Sequence, residues 1–68
     1  MWTDDHVIWE WDATERLWRA VIDDEVVEVY QDGGVCIAVY NDQRIVLGRM
    51  CVCTAMREVV RRVRRQEL

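Results

Sequence analysis

The sequence predicts an α+β fold: an antiparallel β-meander of four to five strands with one C-terminal α-helix packed on one face. Three observations carry that prediction. Apolar and polar residues alternate along the first part of the chain, which is the period of a strand. Clusters of Asp, Asn and Gly punctuate the alternation, as hairpin turns do. Beyond Gly48 the apolar spacing lengthens to that of a helix.

Taken in order, residues 7–12 alternate, with Val7, Trp9 and Trp11 on one side. Residues 16–23 place Trp18, Ala20 and Ile22 together. A four-residue loop at 13–16 pairs Trp11 with Trp18 and Glu10 with Arg19. It sets an aromatic pair on one face and opposite charges on the other. Asp24-Glu25 then turns the chain into strand 26–31, with Ile22 opposite Val27 and Ala20 opposite Val29.

Asp32-Gly33-Gly34 is the strongest turn signal, because glycine accepts positive φ. It leads into strand 35–40 and admits two registers. A three-residue loop with a bulge buries Val35, Ile37 and Val39; a two-residue loop buries Cys36, Ala38 and Tyr40. The larger aliphatic set favours the first. Asn41-Asp42-Gln43 turns once more into strand 44–47, with Ile45 and Leu47 facing in. Met56, Val59, Val60 and Val63 then form one helical stripe within a helix over about 54–67, with Thr54 as its cap and Glu58 paired to Arg62.

Residues 1–68 thus make one domain, with a core of Trp9, Trp11, Trp18, Ile22, Val27, Val29, Ile37 and Ile45 under the helix. The other face carries Ile8, Leu17, Val21, Tyr30, Cys36, Ala38, Tyr40 and Val46, with Glu10, Arg19, Glu28 and Arg44 scattered among them. A sheet face left to water is mostly polar. This one is mostly apolar, which predicts that it, or an edge of the sheet, meets another protein or a second copy of the chain.

At 51% hydrophobic and 32% charged, the composition argues against disorder. No apolar run reaches the length of a membrane span, and the acidic N-terminus lacks the apolar stretch of a signal peptide. A cytoplasmic protein is expected, with three unpaired cysteines in a reducing compartment. The chain has no Lys, Ser, Pro or Phe, and its nine basic residues are all Arg. A GC-rich genome explains this bias, and a small bacterial or bacteriophage reading frame fits it. Charge is sorted along the chain. Residues 1–42 hold eleven acids against Arg16 and Arg19, and residues 43–68 hold seven Arg against Glu58 and Glu67.

The residues offer little catalytic chemistry. Cys51 and Cys53 stand close, but a structural zinc site needs four ligands at a spacing absent here. They read as small buried residues at the junction of strand and helix. Asp23, Asp24 and Glu25 read as a solvated turn. Gly33-Gly34 precedes a strand, unlike a phosphate-binding loop. No cofactor or metal is expected, and no enzyme. The basic helix residues Arg57, Arg61, Arg64 and Arg65 are the candidate nucleic-acid contacts. With a net charge of −4, a solvated face is the simpler reading.

Two resemblances follow from these residues. Trp18, the Leu47-Gly48-Arg49-Met50 step and the helix resemble, over residues 17–63, the ethylene-response-factor and integrase arm-binding domains. Those domains pack a Trp-bearing three-stranded sheet on a helix. Their sheet is basic, whereas this one carries Asp and Glu. Size, acidity and layout also resemble, in type, the small anti-CRISPR and other anti-defence proteins of bacteriophages. That resemblance implies an inhibitor of a host protein or nucleoprotein complex, acting in the host cytoplasm. Asp4, Asp5, Asp23, Asp24, Glu25, Glu28 and Asp32 would steer it to a basic groove, and Val21, Tyr30 and Tyr40 would anchor it. A DNA-binding protein using the Arg helix and a structural homodimer are the alternatives.

Overall fold

A computed structural model of the chain describes residues 7–65. Five antiparallel strands lie side by side in sequence order: β1 (Glu10–Asp12), β2 (Leu17–Ile22), β3 (Glu25–Asp32), β4 (Val35–Tyr40) and β5 (Gln43–Arg49). One helix follows, α1 (Val52–Arg64), and crosses one face over β2, β3 and β4. The predicted α+β meander is therefore the fold.

The first hairpin has the expected register. Trp11 pairs with Trp18, their rings 5.2 Å apart and tilted by 55°, and Glu10 pairs with Arg19. Only Glu10–Asp12 of the predicted strand at 7–12 is a strand. Trp11 stays half-exposed rather than lying under the helix, and Trp9 packs against the core.

The next three turns are all two-residue loops with left-handed backbone: Asp23-Asp24 (φ 51° and 69°), Gly33-Gly34 (62° and 86°) and Asn41-Asp42 (55° and 63°). Such turns match the right-handed twist of the strands they join. Short polar Asp and Asn side chains tolerate that backbone, and glycine takes it freely. Two expectations are corrected as a result. The β2–β3 turn begins one residue earlier than predicted, so Ala20 faces Val27 and Ile22 faces Glu25. A shift of two between partners leaves every side chain on its predicted face. The β3–β4 turn is the shorter loop, and this reverses β4. Cys36 and Ala38 are fully buried and Tyr40 packs against the core, while Val35, Ile37 and Val39 are half-exposed on the other face.

A bulge between Cys36 and Ile37 leaves Leu47 as an extra residue on β5, where it packs against the core. The adjoining Gly48 has φ 111°, backbone that other residues rarely adopt. The helix starts two residues before the predicted position, with Cys51 rather than Thr54 at its cap. Its buried stripe is Ala55, Val59 and Val63, flanked by half-buried Met56 and Val60. The expected Glu58–Arg62 pair is present at 2.8 Å.

The core is Ala20, Ile22, Val27, Val29, Cys36 and Ala38 of the sheet against Ala55, Val59 and Val63 of the helix. Ala38 and Ala55 are completely buried, so neither position has room for a larger side chain without displacing its neighbours.

Candidate protein-docking surface

The face of the sheet away from α1 is built by strand alternation. One cross-strand row runs Asp12, Leu17, Tyr30, Ile37, Val46, and the row beside it runs Glu10, Arg19, Glu28, Val39, Arg44. Val21 and Val26 pair beyond the second row; Asp32, Val35 and Arg49 line up beyond the first. No described element lies over this face. Val21, Val26 and Val46 are 60%, 55% and 65% exposed, and Ile8, beside Glu10 and Val21, is 74% exposed. The predicted face is bare at Ile8, Val21, Val26 and Val46, but it is more mixed than expected: Leu17 on it is buried, charged residues alternate with the aliphatic ones, and its β4 residues are half-buried Val35, Ile37 and Val39 in place of Cys36, Ala38 and Tyr40.

The sequence-predicted contact residues separate into groups. Asp23, Asp24 and Glu25 cluster at the β2–β3 turn, next to the exposed Val21–Val26 pair. Asp42, in the β4–β5 turn, sits at the same end of the meander, since Val27 pairs with Tyr40. Asp42 and Val26 were missed in the sequence. Their signal was the meander itself, which brings alternate turns to one end. Asp32 lies at the other end of β3, about 23 Å away at 3.3 Å per residue. Tyr30 is half-buried on the outer face as expected. Tyr40 is on the helix side and drops out of the surface. Asp4 and Asp5 lie outside the described residues.

Glu28 belongs to a charge network at the centre of the face. Arg19 Nε and Nη2 each lie 2.9 Å from Glu28 Oε2, and Nη1 donates to Asp12 Oδ2 at 3.0 Å. Asp12 Oδ1 accepts the backbone N–H groups of Thr14 and Glu15, both at 3.0 Å, and so fixes the first turn. These bonds, led by Glu15 N–H and then the Arg19 guanidinium, hold the Asp12 carboxyl below its ordinary pKa. The same network, led by Asp12 and then Glu28, raises Arg19.

On the opposite side of the molecule, a groove of about 700 Å³ runs between the Val7–Trp9 segment and α1. Trp9, Met56 and Val60 form its apolar lining, and Arg57, Arg61, Arg64 and Arg65 border it. The four predicted arginines thus do come together. Arg57, Arg64 and Arg65 are exposed, whereas Arg61 and Arg62 donate to Glu58 and hold its carboxyl below its ordinary pKa.

The cysteines depart from expectation. Cys36 is buried in the sheet and donates its thiol to the Met50 carbonyl at 3.2 Å. Cys51 and Cys53 are exposed, because the helix begins at Val52 and turns their side chains to its outer surface. The Cys51 sulfur lies 3.1 Å from Thr54 Oγ1, and that bond leads in holding its thiol below the ordinary pKa. Among the described residues, no cluster of His, Cys, Asp or Glu is arranged to hold a metal ion. No helix among them is long and apolar enough to cross a membrane.

The class defined by this geometry is a five-stranded α+β meander with one covered and one bare sheet face. No family model, curated protein or solved structure matches the chain.

Proposed function

We propose that this chain is a non-enzymatic protein-binding module, a small inhibitor that sets the acidic end of its sheet against a basic groove of a nucleic-acid-processing or defence complex. One observation carries the reading. The exposed Val21–Val26 pair lies directly against the acidic turns holding Asp23, Asp24, Glu25 and Asp42. An apolar centre with a single-sign rim is the layout that gives a contact both adhesion and steering. The acids replace phosphates at a Lys/Arg surface, and the valines supply the desolvated area.

The test uses the turn's own tolerance. Asn suits a left-handed two-residue turn as well as Asp does, so Asp23→Asn/Asp24→Asn/Glu25→Gln neutralises the rim and keeps the hairpin. The expected result is capture of a nucleic-acid-binding complex by the natural chain, with displacement of its nucleic acid. The neutral variant should associate more slowly, with a weaker dependence on salt. Equal association rates and salt dependence for the two chains would overturn the reading.

A second reading rests on the Arg-bordered groove along α1. Exposed Arg57, Arg64 and Arg65 beside Trp9 offer phosphate contacts and one stacking ring. A gel shift at low salt that weakens on Arg57→Gln/Arg64→Gln would favour it over the first.

A further inference from the structure

We infer that the β3–β5 half of the bare face is a self-association surface, closed by a second copy stacked about a two-fold axis that runs along β4. Such an axis exchanges β3 and β5. It places Arg44 over Glu28 of the other copy, since both share the cross-strand row through Val39. It places Arg49 over Asp32 of the other copy, since both share the row through Val35. Symmetry makes each contact twice. Between them Val46 meets Tyr30, and the β4 residues Val35, Ile37 and Val39 lie along the axis against their own copies. Across β3–β5 each charge of these rows meets its opposite, while the acidic turns of the two copies lie at one shared end.

The groups this pairing uses are the unspent ones. Among the described residues, the side chains of Arg44, Arg49 and Asp32 make no hydrogen bond or ion pair, and Glu28 keeps Oε1 free of Arg19. Sheets stack about 10 Å apart and rotated by about 30°, a gap and an angle that Arg side chains bridge. Edge-to-edge pairing is the poorer alternative. The bulge at Leu47 and the left-handed Gly48 interrupt the β5 edge, as sheets do where they avoid strand addition.

Size sets the strength. Three strands at 4.8 Å spacing and about 20–24 Å length cover roughly 300 Å² per copy in projection. That falls in the class of small, transient interfaces, so the dimer forms at high micromolar concentration. The surface includes Val26 of β3 but leaves Val21 and the Asp23-Asp24 turn accessible in the dimer, so the neutral variant of that turn reports on partner binding and Arg49→Asp on the dimer. Loss of dimer and loss of partner binding are therefore distinguishable.

The experiment is sedimentation of the full chain at low salt, from low micromolar to millimolar concentration. The natural chain should pass from monomer to dimer over that range. Arg49→Asp should raise the dimer Kd about tenfold or more. Asp32→Arg/Arg49→Asp, which restores opposite charges across the axis, should recover dimerisation. Ile37→Lys places like charges on the axis and should keep the chain monomeric with its folded circular dichroism intact, independently of the Gly33-Gly34 hairpin. A natural chain that stays monomeric at millimolar concentration overturns the proposal. So does a dimer that Arg49→Asp or Ile37→Lys leaves unchanged, or a folded exchange variant that fails to recover.

Discussion

The covered face of the sheet is apolar, whereas the bare face sets aliphatic residues among charged ones. Beneath the helix, β4 presents Cys36, Ala38 and Tyr40; on the bare side it presents Val35, Ile37 and Val39. Hydrophobicity alone would bury the second set, since each extra buried methylene contributes about 0.8 kcal/mol. The turn selects otherwise. The two-residue Gly33-Gly34 loop directs Cys36, Ala38 and Tyr40 toward the helix, where they join fully buried Ile22, Val27 and Val29 of the neighbouring strands. The larger aliphatics of β4 were left outward. A face that rich in branched residues is what an outside polypeptide would cover.

That contrast can be broken or sharpened by substitution. The largest effect is expected for Ile22→Ala, on the covered face with 1% exposure. It should cost about 2–5 kcal/mol, read from the urea midpoint. A loss below 1 kcal/mol would mean that the helix does not seal the core. Ala38→Leu comes next, at about 1–3 kcal/mol, because Ala38 is fully buried in the core and the added volume has no space there. If this change stabilised the protein, the core beneath the helix would not be closely packed.

Gly34→Ala follows. The new Cβ would lie 3.1 Å from Arg49 Nη1 at φ 86°. The backbone alone makes the change unfavourable by about 1–2 kcal/mol. On the bare face, Val46→Thr should move the monomer's stability by no more than about 0.5 kcal/mol. A larger loss in dilute solution would show that this face is covered within the chain.

The charge networks of the two sides share one pH response. Asp12 on the bare face and Glu58 on the helix both have carboxyl pKa values below the ordinary ones. Each is more readily ionised folded than unfolded. Their contribution is complete above the ordinary carboxylate range and declines as pH falls through the lowered values. Urea midpoints should therefore decrease on acidification below about pH 4. Asp12→Asn should lower the neutral-pH midpoint and flatten the acid limb. An acid limb identical to that of the natural chain would remove Asp12 from the account.

Much of this was legible in the sequence where the signal is local. Trp11 with Trp18 and Glu10 with Arg19 specify the first hairpin, because only one loop length serves both pairs. The acidic cluster at Asp23, Asp24 and Glu25 was visible as a turn, and the Arg positions of α1 as one side of a helix. Val35 to Tyr40 was not readable in the same way. Six apolar residues in succession carry no alternation, so either face serves as the inner one until something is packed on it. Cys51 and Cys53 misled for a related reason: their exposure depends on where the helix begins, and no capping box marks that point.

By itself, then, the sequence determined the meander, the single terminal helix, the order of the turns and the separation of acidic from basic charge. These follow from neighbours within a few positions, whose periods and turn preferences act before any distant contact forms. The tertiary structure alone decided which face of β4 is covered, that Tyr40 goes inside, and that Asp42 joins Asp23 and Asp24 at one end. Those outcomes depend on which loop length joins β3 to β4 and on which turns an antiparallel order brings together, features that exist only once the chain is packed.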